Sequence, residues 1–390
     1  MSAVSTPVLE GIEKRSLTAN LKEIIVDLKK EPEFSWSSAR TTFAIEDDGS
    51  PAVKVAIANC GVDFDPWSRL RNPAMIGLHP LNFRELWDFY AMYSTERVDR
   101  SGRATLFPVP ENYDEAIQRF GRVLMVPVML PVAQELADEY ASSTRRGGLA
   151  PVDVYLRSMT EITRLLDAAV TRMAYRLMTP NRTVLAMTTR AVARMSEMSV
   201  PATRRGQNHG ACKGGNYPQK SVAVLAGLGQ FGAHRLVIRD EMVDGKPKRF
   251  MGPIRSLVIF DPEDPEDSDG VQLLTEGWRE SLFDLHSDRP EASPGRYCQH
   301  YTGDPKTACS ACFDACPSEA VAYSSADADG EYPEEIRNQT HRFWDDALQF
   351  DFRRCLERRS QMEEVYDEWL CGRCLAACVS LGSRNPGACR

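Results

Sequence analysis

Two periodicities divide the chain. Apolar residues recur every three or four positions in four stretches, the spacing of helices that bury one face. These are Thr18 to Lys30, Asn82 to Val98, Ala133 to Ser143 and, longest, Pro151 to Met178. Proline opens the last, and Thr179-Pro180-Asn181 closes it. Short β-rich runs interleave with these helices: Ala52 to Cys60, Val123 to Leu130 and Arg255 to Asp261. Helices alternating with apolar strands predict a layered α/β (α+β) domain. The most apolar run, Val123 to Ala133, is too short for a bilayer, which needs about 20 residues. It reads as a buried strand.

Residues 1–20 read as a loose arm, with no apolar signal core and no early arginine pair. The α/β domain is expected over 21–270. The acidic loop Phe260 to Gly270, with two prolines, closes it. A helix-like stretch, Val271 to Ser287, then opens a second domain over 271–390.

Composition adds two limits. A chain of 390 residues, 43% of them hydrophobic, has enough apolar material for one large core or two moderate ones. Its formal charge of -8 and the lack of a basic run argue against general nucleic-acid binding. With no spanning segment, the expectation is a cytoplasmic protein that does not contact membrane. In that reducing compartment cysteines serve as metal ligands or redox groups more often than as disulfides.

Eight of the eleven cysteines fall between Cys298 and Cys378. Cys309, Cys312 and Cys316 form C-x2-C-x3-C, followed by Pro317. Cys371, Cys374 and Cys378 repeat the spacing, and each triplet has one outlying cysteine upstream, Cys298 and Cys355. Four plus four suits two [4Fe–4S] clusters. C-x2-C turns two thiolates toward one cluster, and the third cysteine begins a helix that points away. In two-cluster ferredoxins that last cysteine ligates the other cluster. The expected sets are therefore Cys298, Cys309, Cys312 and Cys378 for one cluster, and Cys355, Cys371, Cys374 and Cys316 for the other. The usual first cysteine of such a run would fall at Lys306 and at Glu368, so both copies depart at the same place. A zinc ribbon is the rival reading, but it leaves Cys316 and Cys378 unexplained. Cys60 reads as core.

Gly227, Gly229 and Gly232 spell G-x-G-x-x-G, the spacing of a dinucleotide loop. That loop needs a strand before it, a helix after it, and an acid about 20 residues on. The flanks fit the opposite order better, a helix ending at the glycines and a strand beyond, with glycine as a C-cap. As a second strand, Arg255 to Phe260 would offer Asp261, 29 residues past Gly232.

With the segments "AGLGQFGAHRLVI", "GPIRSLVIF" and the paired cysteine motifs, residues 150–390 resemble the cobalamin-dependent iron–sulfur reductases. These comprise the reductive dehalogenases and the epoxyqueuosine reductases. The resemblance implies a nitroreductase-like cobalamin-binding domain followed by a ferredoxin-like domain with two [4Fe–4S] clusters. It implies that Ala226, Gly227, Leu228, Gly229, Gln230, Phe231, Gly232 and His234 lie against the corrinoid. It also implies reduction of a small organic substrate at cobalt, fed by a ferredoxin, flavodoxin or reductase. Tyr217, Lys213 and His209 are the candidates for the proton donor and its helpers. An epoxyqueuosine reductase-like enzyme acting on tRNA would need a D-x-G-P-x-x-E motif, and here Lys213, Asn216 and Gln219 stand at its Asp, Pro and Glu. Three other readings stay open. One is an electron-transfer iron–sulfur protein without corrinoid, another a flavin- or NAD-linked oxidoreductase, and the third a corrinoid used for methyl transfer.

Overall fold

The structure is a computed structural model that describes residues 12–34, 42–61, 78–96, 111–144, 150–198, 214–232, 234, 236–262, 272–273, 298, 309–321, 352–366 and 371–382. In chain order the helices are α1 (Lys14–Leu28), α2 (Phe83–Glu96), α3 (Tyr113–Ile117), α4 (Gln134–Thr144), α5 (Ala150–Leu177), α6 (Thr189–Met198) and α7 (Gln219–Leu225). The cysteine-rich part adds α8 (Ala311–Asp314), α9 (Phe352–Tyr366) and α10 (Arg373–Gly382). The strands are β1 (Lys54–Val55), β2 (Ala58–Gly61), β3 (Leu78–Pro80), β4 (Arg122–Met129), β5 (Thr183–Met187) and β6 (Gly214–Asn216). They continue with β7 (Gln230–Phe231), β8 (Val237–Val243), β9 (Lys246–Phe250), β10 (Ile254–Asp261) and β11 (Gln272–Leu273).

A six-stranded sheet in the order β11-β2-β4-β10-β5 forms the centre, with β1 also on β4. Every pairing in it is antiparallel except β11 with β2. Leu257 of β10 faces Val126 on one side and Ala186 on the other. Strand alternation sends successive residues to opposite faces. Leu124, Val126 and Val128 enter the core with α1 and α5, whereas Val123, Met125 and Met129 enter the core with α2 and α7. The result is a helix–sheet–helix sandwich, and each fully buried apolar side chain contributes about 1.5–3 kcal/mol.

Proline explains one break in the sheet. Ala56 donates to the Pro127 carbonyl across 3.2 Å, and Pro127 has no N–H to return the bond. The ladder is interrupted there, so one extended run becomes β1 and β2. On the far face, Trp87 anchors an aromatic group. Its ring meets Phe260 edge-on at 5.0 Å, and its Nε1 donates to the Glu111 carbonyl at 2.7 Å.

The mixed α/β class is what the pattern predicts, and the structure adds that its sheets are largely antiparallel. Four details differ. Helix α1 begins at Lys14, inside the expected arm, because Leu17 joins Leu21, Ile24 and Leu28 in the core at helical spacing. Strand β5 and helix α6 fill a stretch read only as the end of α5. Gln272 and Leu273 form a strand of the main sheet, where a helix and a domain boundary were expected. Asp244-Gly245, where no hairpin was expected, is the turn of the β8–β9 hairpin, with φ of 49° and 73°. Two successive positive φ values match the strand twist in such a two-residue turn. No helix among the described residues is long and apolar enough to cross a membrane.

Asp261 closes β10 with its carboxylate fully buried, accepting from Arg182 Nε at 3.1 Å and Arg122 Nη2 at 3.4 Å. It braces three strands and is not placed as the ribose-binding acid of a dinucleotide fold. Replacing Asp261 with Ala leaves two buried guanidinium groups without their counter-charge. The expected loss is about 3–5 kcal/mol in denaturant unfolding, with a smaller loss for Asp261→Asn.

Candidate functional site

The cysteine-bearing helices sit on the α/β sandwich itself. Cys298, Cys312, Phe313, Val321, Leu375, Ala376 and Val379 belong to the same buried core as α1, α4 and α5. Helix α10 packs along α4 and against α8. Tyr140 of α4 and Tyr155 of α5 stack with centroids 4.2 Å apart and planes 14° apart. The Tyr140 hydroxyl donates to the Cys371 carbonyl at 2.8 Å. The Arg373 guanidinium lies over the Tyr140 ring at 5.9 Å, and Gln134 Nε2 donates to the Val379 carbonyl at 3.3 Å. Within the C-G-R-C loop, Gly372 has φ 66° and its backbone rests on the Tyr155 ring. A Cβ there would come within 2.7 Å of that ring.

These contacts bring the thiols together across the two motifs. Cys312 is pushed well up, first by burial and then by Cys378, Cys298, Cys374 and Cys309 in falling order. Cys378 is pushed up to about 12 by burial, countered first by Arg249, with Cys298 and Cys309 as its thiol neighbours. Cys374 is raised by burial, then by Cys371, Cys355, Cys316 and Cys378. Cys355 and Cys371 are raised by burial too, and each has Cys316 among its neighbours. Two groups result, each containing the last cysteine of the other motif, and they adjoin through Cys374. Among the described residues no three His, Cys, Asp or Glu side chains converge closely enough to share one metal ion.

Cations border both groups. Arg249 Nη1 reaches Cys378 Sγ at 3.4 Å. Arg359, lowered by burial, feels Cys355 and Cys371. Lys220, on α7, is pushed down to about 8 by burial and then by Arg359, with Cys355 and Cys374 opposing. The second thiol group therefore lies toward α7 and the first toward β9, while α4 touches the chain beside both. Sequence spacing missed these cations and the tyrosine pair, since nothing in a linear motif says which distant element packs on a loop.

The glycine segment runs helix, turn, strand. Leu228 N–H donates to Ala223 O at 2.8 Å and Gly227 N–H to Val224 O at 3.0 Å, a Schellman ending with Gly227 at φ 72°. A side chain at Gly229 would strike the Ile238 carbonyl at 2.4 Å, and one at Gly232 the His234 ring at 2.6 Å. All three glycines thus serve the loop's own folding against β8. Arg239 Nη1 holds the Leu228 carbonyl at 2.9 Å. Ala226, Leu228, Gly229, Phe231, Gly232 and His234 are buried, Gln230 is half-buried and Gly227 is exposed. His234 Nδ1 accepts from the Leu236 N–H at 3.1 Å, which leaves the neutral ring's proton on Nε2.

Tyr217 is buried beside Ser256 and Cys60, and burial pushes its hydroxyl well up. Gln219 is committed at both ends, donating to the Met187 carbonyl at 2.6 Å and accepting from Ser256 Oγ at 2.8 Å. It ties α7 to β5 and β10. Cys60 is buried, as expected of a core residue. His209 and Lys213 lie outside the described residues.

The Gly372 contact has a direct test. Gly372→Ala adds a methyl group both to a left-handed backbone and against the Tyr155 ring. Chemical unfolding should show a loss of about 1–3 kcal/mol. Gly49→Ala, at φ 78° with open space around it, should cost less and serves as the control for backbone strain alone.

No family model, curated protein or solved structure matches the chain.

Proposed function

We propose that the chain is a cobalamin-dependent iron–sulfur reductase, resembling the reductive dehalogenases, that works in a reducing, cytoplasmic setting. The observation that carries this reading is the crossed grouping of eight cysteines. Cys378 lies with Cys298, Cys309 and Cys312, and Cys316 with Cys355, Cys371 and Cys374. An all-thiol donor set is soft and suits iron–sulfur clusters. Burial raises Cys312, Cys355, Cys371, Cys374 and Cys378, so holding these as thiolates calls for a bound cationic centre.

When bound, two [4Fe–4S] clusters would relay single electrons and a corrinoid would supply reducing cobalt. The chain's own part is positional. Tyr140, Tyr155 and Gly372 fix the second C-x2-C loop against α4 and α5. The first thiol group faces β9, and the second faces α7. Electrons would enter from a small carrier such as a ferredoxin, flavodoxin or reductase. Delivery is then toward the α7 loop, where a small organic substrate is reduced. Lys220 and Arg359 place positive charge beside the second group, which favours the more negative, reduced state there.

Toward a corrinoid, the described part of the loop presents Gly227 and Gln230 at its surface. Its other glycines are used internally, so the loop does not by itself demand a macrocycle. That observation favours a second reading, an electron-transfer iron–sulfur protein without corrinoid.

Anaerobic purification followed by incubation with hydroxocobalamin separates the two. The expected result is about eight irons per chain, the content of two cubane clusters, with a base-off Co(II) signal by EPR. Eight irons without corrinoid uptake would establish the second reading. Zinc in place of iron, or bound flavin, would sink both.

A further inference from the structure

Arg249 stands apart from the motifs that define the site. It lies on β9, more than a hundred residues before the cysteine whose sulfur it meets. Its side chain is buried and its fork is fully oriented. Nε donates to Asp240 Oδ1 at 2.8 Å and Nη2 to Asp240 Oδ2 at 2.7 Å. That bidentate grip leaves Nη1 directed at Cys378 Sγ, 3.4 Å away. A guanidinium is always charged and only donates, so the sulfur must accept. Asp240 also neutralises most of the arginine's charge. What reaches the sulfur is chiefly a directed hydrogen bond, held rigid by the β8–β9 hairpin.

We propose that Arg249, clamped by Asp240, is a positioning residue that sets the reduction potential of the cluster ligated by Cys298, Cys309, Cys312 and Cys378. The inference rests on the two-cluster reading above. A hydrogen bond to a cluster sulfur stabilises the electron-rich reduced state and raises its potential. The other cluster would be tuned by different groups: Cys316 Sγ accepts from the Ala320 N–H at 3.2 Å, and Lys220 and Arg359 stand beside it. Arg249 thereby contributes to the difference between the two clusters, on which the direction of electron flow between them depends.

The two members of the clamp make opposite predictions. Arg249→Met removes the donor and lowers the potential of one cluster. Asp240→Asn keeps the donor but frees its positive charge, and raises the same potential. EPR-monitored redox titration of the purified holoprotein reads both. Each shift is expected to change the oxidised-to-reduced ratio of that cluster roughly tenfold at fixed potential, ~59 mV for one electron. The second cluster should keep its wild-type midpoint. A residue that merely supports packing would move both variants in the same direction, or neither, and that result overturns the proposal. If Arg249→Met does not assemble, the upward shift in Asp240→Asn carries the test, and an unchanged midpoint there overturns the proposal. Wild-type protein that takes up no iron–sulfur cluster overturns the cluster reading and this inference with it. Intact clusters with unmoved midpoints overturn this inference alone.

Discussion

The stack of Tyr140 on Tyr155 is a central contact through which the cysteine-bearing helices join the rest of the molecule. Offset aromatic pairs add about 0.5–1.5 kcal/mol beyond the area they bury. Here their larger effect is geometric. One hydroxyl holds the Cys371 carbonyl, one ring receives the Gly372 backbone, and both rings come from helices rooted in the main core. Without that seam the second C-x2-C loop has no fixed address. Cys371 and Cys374, at the two ends of that loop, take their positions from it.

The seam also explains why the cysteine region is no separate unit among the described residues. A small lobe seldom buries enough apolar surface to be stable alone. Phe313, Val321 and Leu375 solve this by joining the core of α1, α4 and α5. The expected boundary near residue 270 marks a change of composition, and β11 beyond it still belongs to the central sheet.

Legibility from sequence followed the range of the interactions. Helix α5 was visible because its apolar stripe runs for 28 residues, and β4 and β10 because they are unbroken apolar runs. The cysteine spacing was readable because ligand geometry is local. The direction of the glycine loop was readable because a Schellman ending leaves glycine just past a helix. Strand β5 was hidden behind the turn signal at Thr179-Pro180-Asn181, and the β8–β9 hairpin because its strands carry too many charged residues to read as apolar runs. Arg249, Lys220 and Arg359 were invisible for a different reason. Each matters only through a residue far away in the chain, and no spacing rule records that.

A loop anchored by tyrosines has its shape before any ion reaches it. Tyr155 holds the Gly372 backbone in a conformation that a free peptide would only visit. Preorganisation of this kind moves the cost of ordering from the binding step to the folding step. For any ligand held by the Cys371-Gly372-Arg373-Cys374 loop, affinity would then depend in part on two tyrosines and a glycine that need not touch it.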